Sequence, residues 1–327
     1  MLSLIGRRLV HCAVLFLTSV VLSYALTSLA LDPRAYFADR QPPPPTRVVG
    51  RELTSLGIDD RTPLPERFGH WAERAVHGDL GRTIDGEPVN AELARRVGVS
   101  MRLLLVGTLA GTALGVLAGV WAAVRRGRTA DRVLTVFSFG VLSIPTFVLA
   151  LLLKTGALAV NRAAGHPVIR YTGEHTPGLA GGWTVQLRDT VAHLVLPAIC
   201  VALVGIAAYS RYQRGATLDV LGSEHLRTAQ AKGLTPWRAL LRHGLRVSLV
   251  PMATFFSFGF LTLFTGSVFT EKIFGWPGMG TWFMDSVQKG DVNSVVAVNV
   301  FAAATVLLAG LVADVLHALL DPRVRYP

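Results

Sequence analysis

The sequence predicts an all-α membrane protein with six transmembrane helices, and three observations lead there. Of its 327 residues 51 % are hydrophobic and only 16 % charged, where soluble domains carry roughly 25 % charged residues. Six runs hold no Asp, Glu, Lys or Arg: 9–31, 103–124, 133–153, 190–210, 247–270 and 292–313, each 21 to 24 residues long. About 20 helical residues cross roughly 30 Å of hydrocarbon. The third observation is charge asymmetry: the short connection "RRGRTADR" (125–132) packs four Arg into eight residues. Short basic loops stay inside, which places the amino terminus, 125–132, 211–246 and the segment after 313 on the cytoplasmic side of the cell membrane.

Taken in order, the first run follows Arg7 and Arg8, and Ser28-Leu29-Ala30 faintly resembles a cleavage site. Its 23 residues exceed the roughly 7–15 of a signal core, so an uncleaved anchor is expected over a signal peptide. Residues 32–102 form an external insertion between spans one and two. "DRQPPPPTR" is extended, because each Pro fixes its own φ and restricts its predecessor. "RELTSLGIDD" and "LPERFGHWAERAV" read as short amphipathic helices, and "HGDLGRTIDGEPV" as turns. About seventy residues with a Pro-rich start hold little core, so the insertion packs as a cap or touches an outside partner. The organisation is then 1–31 as tail and first span, 32–102 as insertion, and 103–327 as a five-span core.

Span two carries Gly107, Gly111, Gly115 and Gly119, a four-residue repeat that keeps one helix face bare for close approach. The face serves packing within the chain, a subunit contact or a moving surface. In span three, Pro145 removes a backbone donor and kinks the helix. Cys12 and Cys200 sit apart in apolar runs and are assigned no chemistry. His11 and His193 lie near span edges, where hydrogen-bonded roles fit better than proton relay.

Several activities are excluded. The six runs contain no acidic residue, whereas ion-coupled carriers place ionisable groups at mid-membrane. The chain has no phosphate-binding loop, no H-E-x-x-H and no zinc-spaced Cys pairs. The net charge of +11 and pI near 10.4 come from Arg flanking the spans, which suits lipid headgroups and not nucleic acid. The energy source lies elsewhere, or the chain is a passive pore.

The inner segment 211–246 is too ordered for a plain loop. "LGSEHLRTAQAKGL" reads as a short helix capped by Ser223 and ended by Gly233, and Thr235-Pro236 starts a second helix toward span five. Ala229 and Gly233 give the corner a shallow side that a groove could close on, with Arg227 and Lys232 meeting an acidic partner. An amphipathic loop lying on lipid is the alternative. Outside, "EKIFGWPGMG" reads as a compact turn anchored at the interface by Phe274 and Trp276.

This inner segment, in the form "RTAQAKGL", resembles the coupling motif of ABC importer permeases, and specifically those of the oligopeptide and dipeptide group. Arg227, Thr228 and Ala229 stand at the E-A-A places of the wider pattern and Gly233 at its glycine. At the following I-x-L-P only Leu245 agrees. "RRLVHCAVLFLTSVVLSYALTSLALDP", "GDLGRTIDGEPV", "LSIPTF", "EKIFGWPGMG" and "ALLDPRVR" are similar to the same family in the same order, over nearly the whole chain. The resemblance implies a cytoplasmic coupling helix at about 223–234, between spans four and five, with Arg227, Thr228, Ala229, Lys232, Gly233 and Leu234 as the ATPase-coupling set. It implies that Glu271, Phe274, Trp276, Pro277, Gly278 and Gly280 lie near an external gate or binding-protein contact; a purely structural turn is the other reading. It implies a non-catalytic permease for peptides, or for nickel or another small solute. Its partners would be a second permease, two ATP-binding subunits or domains holding ATP and Mg, and an external solute-binding protein. Ser138, Thr146, Ser257 and Thr265 are candidate pathway-lining groups.

Overall fold

The computed structural model describes residues 2–320, with side chains for all of these except 2–9, 236, 253–267 and 311–320. Among the described residues the regular elements are helices, with one isolated antiparallel bridge between Arg82 and Pro88. The chain forms two compact units, one of residues up to Ser100 with Pro277–Leu308, the other of Met101–Trp276 with the chain from Ala309.

In the first unit, α1 (Leu2–Ala30) is followed by α2 (Pro33–Ala38), α3 (Thr46–Leu56) and α4 (Leu64–Val76), with α5 starting at Val89. Helix α2 was not legible as an apolar pattern. It is set by its cap: the Asp32 carboxylate accepts the Arg34 N–H at 2.9 Å, and Pro33 takes the first helical position, where its missing N–H is harmless. Gly57, at φ +72°, closes α3 in the left-handed conformation. The two expected amphipathic helices bury Leu53, Leu56 and Trp71 around Phe37, Ile58 and Ile84. That core is completed by Tyr24 of α1 and by Val292 and Val296 further along the chain, with the Tyr24 and Trp71 rings 5.3 Å apart. The insertion thus borrows apolar area from spanning helices that it could not supply alone.

Two further helices belong to this unit, α12 (Met279–Lys289) and the first part of α13 (Val292–Leu320). Asp291 opens α13: its carboxylate accepts from Ser294 N at 3.1 Å, from Ser294 Oγ at 2.6 Å and from Ile84 N at 3.0 Å. Burial holds its carboxyl above the usual range despite those bonds.

The second unit holds the rest of α5, which ends at Val124, then α6 (Thr129–Ser143), α7 (Thr146–Ala164) and α8 (Trp183–Leu221). The expected third span, 133–153, is therefore not one kinked helix. Ile144 is extended, with φ −91° and ψ 124°, as a residue before Pro must be, and Pro145 breaks the run into α6 and α7. Among the described residues five helices are long and apolar enough to cross a membrane: α1 over Val10–Ala30, α5, α7, α8, and α13 over Val292–Gly310.

The glycine stripe of α5 faces α8. A Cβ added at Gly107 would lie 2.8 Å from Val201 Cβ, at Gly115 2.8 Å from Tyr209 Cβ, and at Gly119 2.5 Å from the Ser210 carbonyl oxygen. The two helices meet backbone to backbone, which only glycine permits.

In the first turn of α6 Asp131 clamps that helix to α8. It is buried, accepts Arg214 Nε at 2.6 Å and Nη2 at 2.9 Å, and also accepts the Gly127 N–H at 2.9 Å. The Arg214 bonds hold its carboxyl below the usual range. A lowered pKa means stabilisation fully present above the ordinary carboxylate value and lost as pH falls through the folded one. Arg214→Met is expected to cost about 1–3 kcal/mol at neutral pH, read by thermal unfolding in detergent. The difference from wild type should shrink below pH ~4; a gap unchanged down to pH 3 would mean the charge is not what holds the clamp.

Candidate functional site

After α8 the chain turns through Gly222 and Ser223 into α9 (Glu224–Ala231), then α10 (Pro236–Ala239), a π turn (Leu240–Gly244) and α11 (Leu245–Phe274). Ser223 occupies the N-cap position with extended backbone, but its hydroxyl donates back to the Val220 carbonyl at 2.5 Å. Lys232 closes α9, and Gly233 follows at φ +93°. Gly233 N–H bonds the Gln230 carbonyl at 2.9 Å and Leu234 N–H that of Ala229 at 3.3 Å. Thr235 then accepts the Arg238 N–H on its hydroxyl at 3.4 Å, opening α10.

This elbow has two sides. Inward, Leu226, Ala239 and Leu240 are fully buried against Val120 of α5 and Val220 of α8, with Ala229 and Leu234 at the margin. A Cβ on Gly244 would stand 2.9 Å from both Leu240 Cδ1 and Val220 Cγ1, so the π turn closes over the cluster only because Gly244 is bare. Outward, Arg227, Thr228, Lys232 and Gly233 are exposed, and nothing lies within 4 Å of a Cβ on Gly233. Arg227 meets Glu224 at 3.3 Å with both side chains exposed, a weak pair that leaves its charge available. Of the six coupling residues expected from sequence, four share the open side; Ala229 and Leu234 turn instead to the side that anchors the elbow.

The external set is distributed differently. Glu271 and Phe274 belong to the last turn of α11, Gly275 ends it at φ +62°, and Trp276 N–H returns to the Glu271 carbonyl at 2.8 Å. Phe274, Trp276 and Glu271 are buried, so the aromatic pair fills protein interior, not the membrane interface expected of it. Pro277 and Gly278 precede α12, which contains Gly280. The Met279 N–H donates to Ser100 Oγ at 2.8 Å, and the Arg96 guanidinium stands 5.7 Å from the centre of the Trp282 ring.

Two residues of α7 escaped the sequence reading. Lys154 donates to the Ile273 carbonyl near the end of α11, where a cation completes unpaired carbonyls. Asn161 accepts from Val168 and Ile169 N–H, both at 2.9 Å, and returns a bond to the Ile169 carbonyl. The signal was a lone Lys at the end of the run 133–153, which served there only to mark a span boundary. Ser138 is buried, 3.1 Å from Ser210 Oγ, and Thr146 begins α7. The side chains of Ser257 and Thr265 lie outside the described residues.

An all-helical, multi-pass membrane protein with a packed elbow between α8 and α11 is the class these features define. Residues 115–326 match the model of the binding-protein-dependent transport system inner membrane component. The chain belongs to that family. It is 51 % identical over 321 residues to the oligopeptide transport system permease protein OppB of Mycobacterium tuberculosis (strain ATCC 25618 / H37Rv), with 98 % of each chain covered. It is 30 % identical over 340 residues to the dipeptide transport system permease protein DppB of Escherichia coli (strain K12), covering 100 % of this chain and 99 % of that one. Among solved structures, the MetNI methionine ABC transporter in its inward-facing conformations is similar in fold, with TM-score 0.52 at 17 % identity over 70 % of this chain and 96 % of that one.

Proposed function

We propose that this chain is the permease subunit of an ATP-driven peptide importer, supplying half of the pathway and receiving the ATPase stroke through α9. The observation that carries this reading is the two-sided elbow. Its open side offers Arg227, Thr228, Lys232 and a bare Gly233, and its inner side is locked by Leu226 and Leu240 to α5 and α8. A close-packed interior transmits displacement instead of absorbing it. A partner that moves α9 therefore moves the inner ends of α5 and α8, and closure of two such partners tips the spans between inward- and outward-facing arrangements.

In this reading the membrane is crossed six times, by α1, α5, α6 with α7, α8, α11 and α13, and both termini are cytoplasmic. The complement is a second permease, two ATP-binding subunits or domains that hold ATP and Mg, and an external solute-binding protein. The peptide substrate is supported by the relatives named for oligopeptide and dipeptide transport.

Copurification tests the assignment. Tagged chain solubilised from its own host should bring down an ATP-binding subunit and a second permease. ATP hydrolysis by that assembly should rise when peptide-loaded binding protein is added. A preparation with no ATP-hydrolysing companion, or one whose hydrolysis answers nickel and not peptide, would overturn the reading.

A further inference from the structure

On α4 the residues Arg67, Trp71 and Arg74 recur at helical spacing on one stripe, and Glu66, His70 and Glu73 on the next. The first stripe turns inward: Arg67 is 9 % exposed, Trp71 3 %, and Arg74 half-buried. Among the described residues neither Arg67 nor Arg74 forms an ion pair, and Arg67 Nε and Trp71 Nε1 are buried donors with no acceptor. A guanidinium cannot escape by losing its proton, and a buried charge without compensation is strongly unfavourable. The site therefore asks for an anion.

The two arginines line one cavity of about 400 Å³ together with Glu66, His70 and Glu73, within the roughly 300–1,000 Å³ of small-molecule sites. Gly57 makes room for the second of them: a Cβ there would lie 2.9 Å from Arg74 Nη2. Asp59, also on the wall, is already engaged by Arg34 at 2.7 Å and by Thr54 at 3.1 Å. Two guanidiniums without an ion-pair partner, one buried and one half-buried, thus line one wall and exposed carboxylates the opening. Phosphate and other polyanions would be repelled by Glu66 and Glu73. A molecule carrying a carboxylate at one end and an ammonium at the other satisfies both sides at once.

We propose that the outer insertion holds a binding site for the zwitterion of a free amino acid or short peptide, its carboxylate on Arg67 and Arg74 and its ammonium toward Glu66 and Glu73. That the site opens to the outer side rests on the peptide-importer reading; the binding itself does not.

The experiment uses the full chain in lipid nanodiscs and titration calorimetry with trialanine, trialanine amide, N-acetyl-trialanine and inorganic phosphate. Trialanine should bind, and removing either of its charges should weaken binding by roughly tenfold or more, as loss of a charge-assisted bond does. Arg74→Gln should give the same loss without moving the unfolding temperature appreciably, and Arg67→Met should repeat it where it folds. Gly233→Trp should bind as wild type, which separates failure of this site from failure of the transport reading. The proposal is overturned if trialanine does not bind, if phosphate or either blocked peptide binds as tightly, or if Arg74→Gln leaves the affinity unchanged.

Discussion

A Gly111→Leu chain is expected not to accumulate in the membrane as folded protein. At the position a Cβ would take, the neighbours are the Ala202 carbonyl oxygen at 3.0 Å, Ala202 Cα at 3.2 Å and Gly205 Cα at 3.2 Å. All three are backbone, so no rotamer change relieves the clash and α8 as a whole must move. Gly205 stands in the reciprocal position, a Cβ on it lying 3.2 Å from Gly111 Cα. Overpacking by a methyl group costs about 1–3 kcal/mol, and a leucine side chain far more, against a total stability of about 5–15 kcal/mol. The graded version separates packing from helix propensity. Gly111→Ala should lower the unfolding temperature in detergent, whereas Gly156→Ala, with nothing within 4 Å of its Cβ, should leave it level or raise it by the roughly 0.5–1 kcal/mol of regained helix propensity. Equal behaviour of the two alanine variants would mean that the α5–α8 contact does not govern stability.

The second large effect concerns transport. Gly233 sits at φ +93° with open space around it, so two consequences of substitution can be told apart. Any side chain there bears a backbone strain of about 1–2 kcal/mol, and Ala and Trp bear it alike. Only Trp projects bulk into the space where the proposed ATP-binding partner would seat. Gly233→Ala should therefore retain most peptide uptake and ATPase stimulation, while Gly233→Trp should reduce both by roughly tenfold or more, the equivalent of about 1.4 kcal/mol of lost docking. Matching uptake by the two variants would show that nothing closes on that side of the elbow.

The sequence disclosed what transfer free energy writes into it and little else. The apolar runs mark where hydrocarbon lies, not where helices begin: α5 starts at Val89 and α8 at Trp183, well before the runs at 103 and 190. The added turns of α5 carry Glu92, whose carboxylate accepts from Arg95 and Arg96 at 2.8–2.9 Å, and extend the helix beyond its apolar run. "LPERFGHWAERAV" was legible as α4 because its apolar stripe has helical period, yet the consequence of Arg67 on that stripe was not, since burial depends on which neighbours close over it. The interface anchoring expected of Phe274 and Trp276 gave way to burial for the same reason. An aromatic beside a span end is equally at home in headgroups or in protein, and only the tertiary arrangement decides. Of the expected coupling set, the resemblance carried by "RTAQAKGL" marked the segment; the orientation of Ala229 and Leu234 required the cluster of Leu226, Leu240 and Val220.

The widened turn at Leu240–Gly244 holds one residue more than an α-helix would use over the same advance. Each α-helical residue subtends about 100° of rotation. Shortening this stretch by one would thus spin every later side chain of α11 by roughly that angle about its axis, presenting a different flank of a thirty-residue rod to α7 and α8. Length here is consequently under tighter constraint than chemistry: conservative replacements at Leu241 or Arg242 leave the azimuth of α11 alone, and a single deletion resets it.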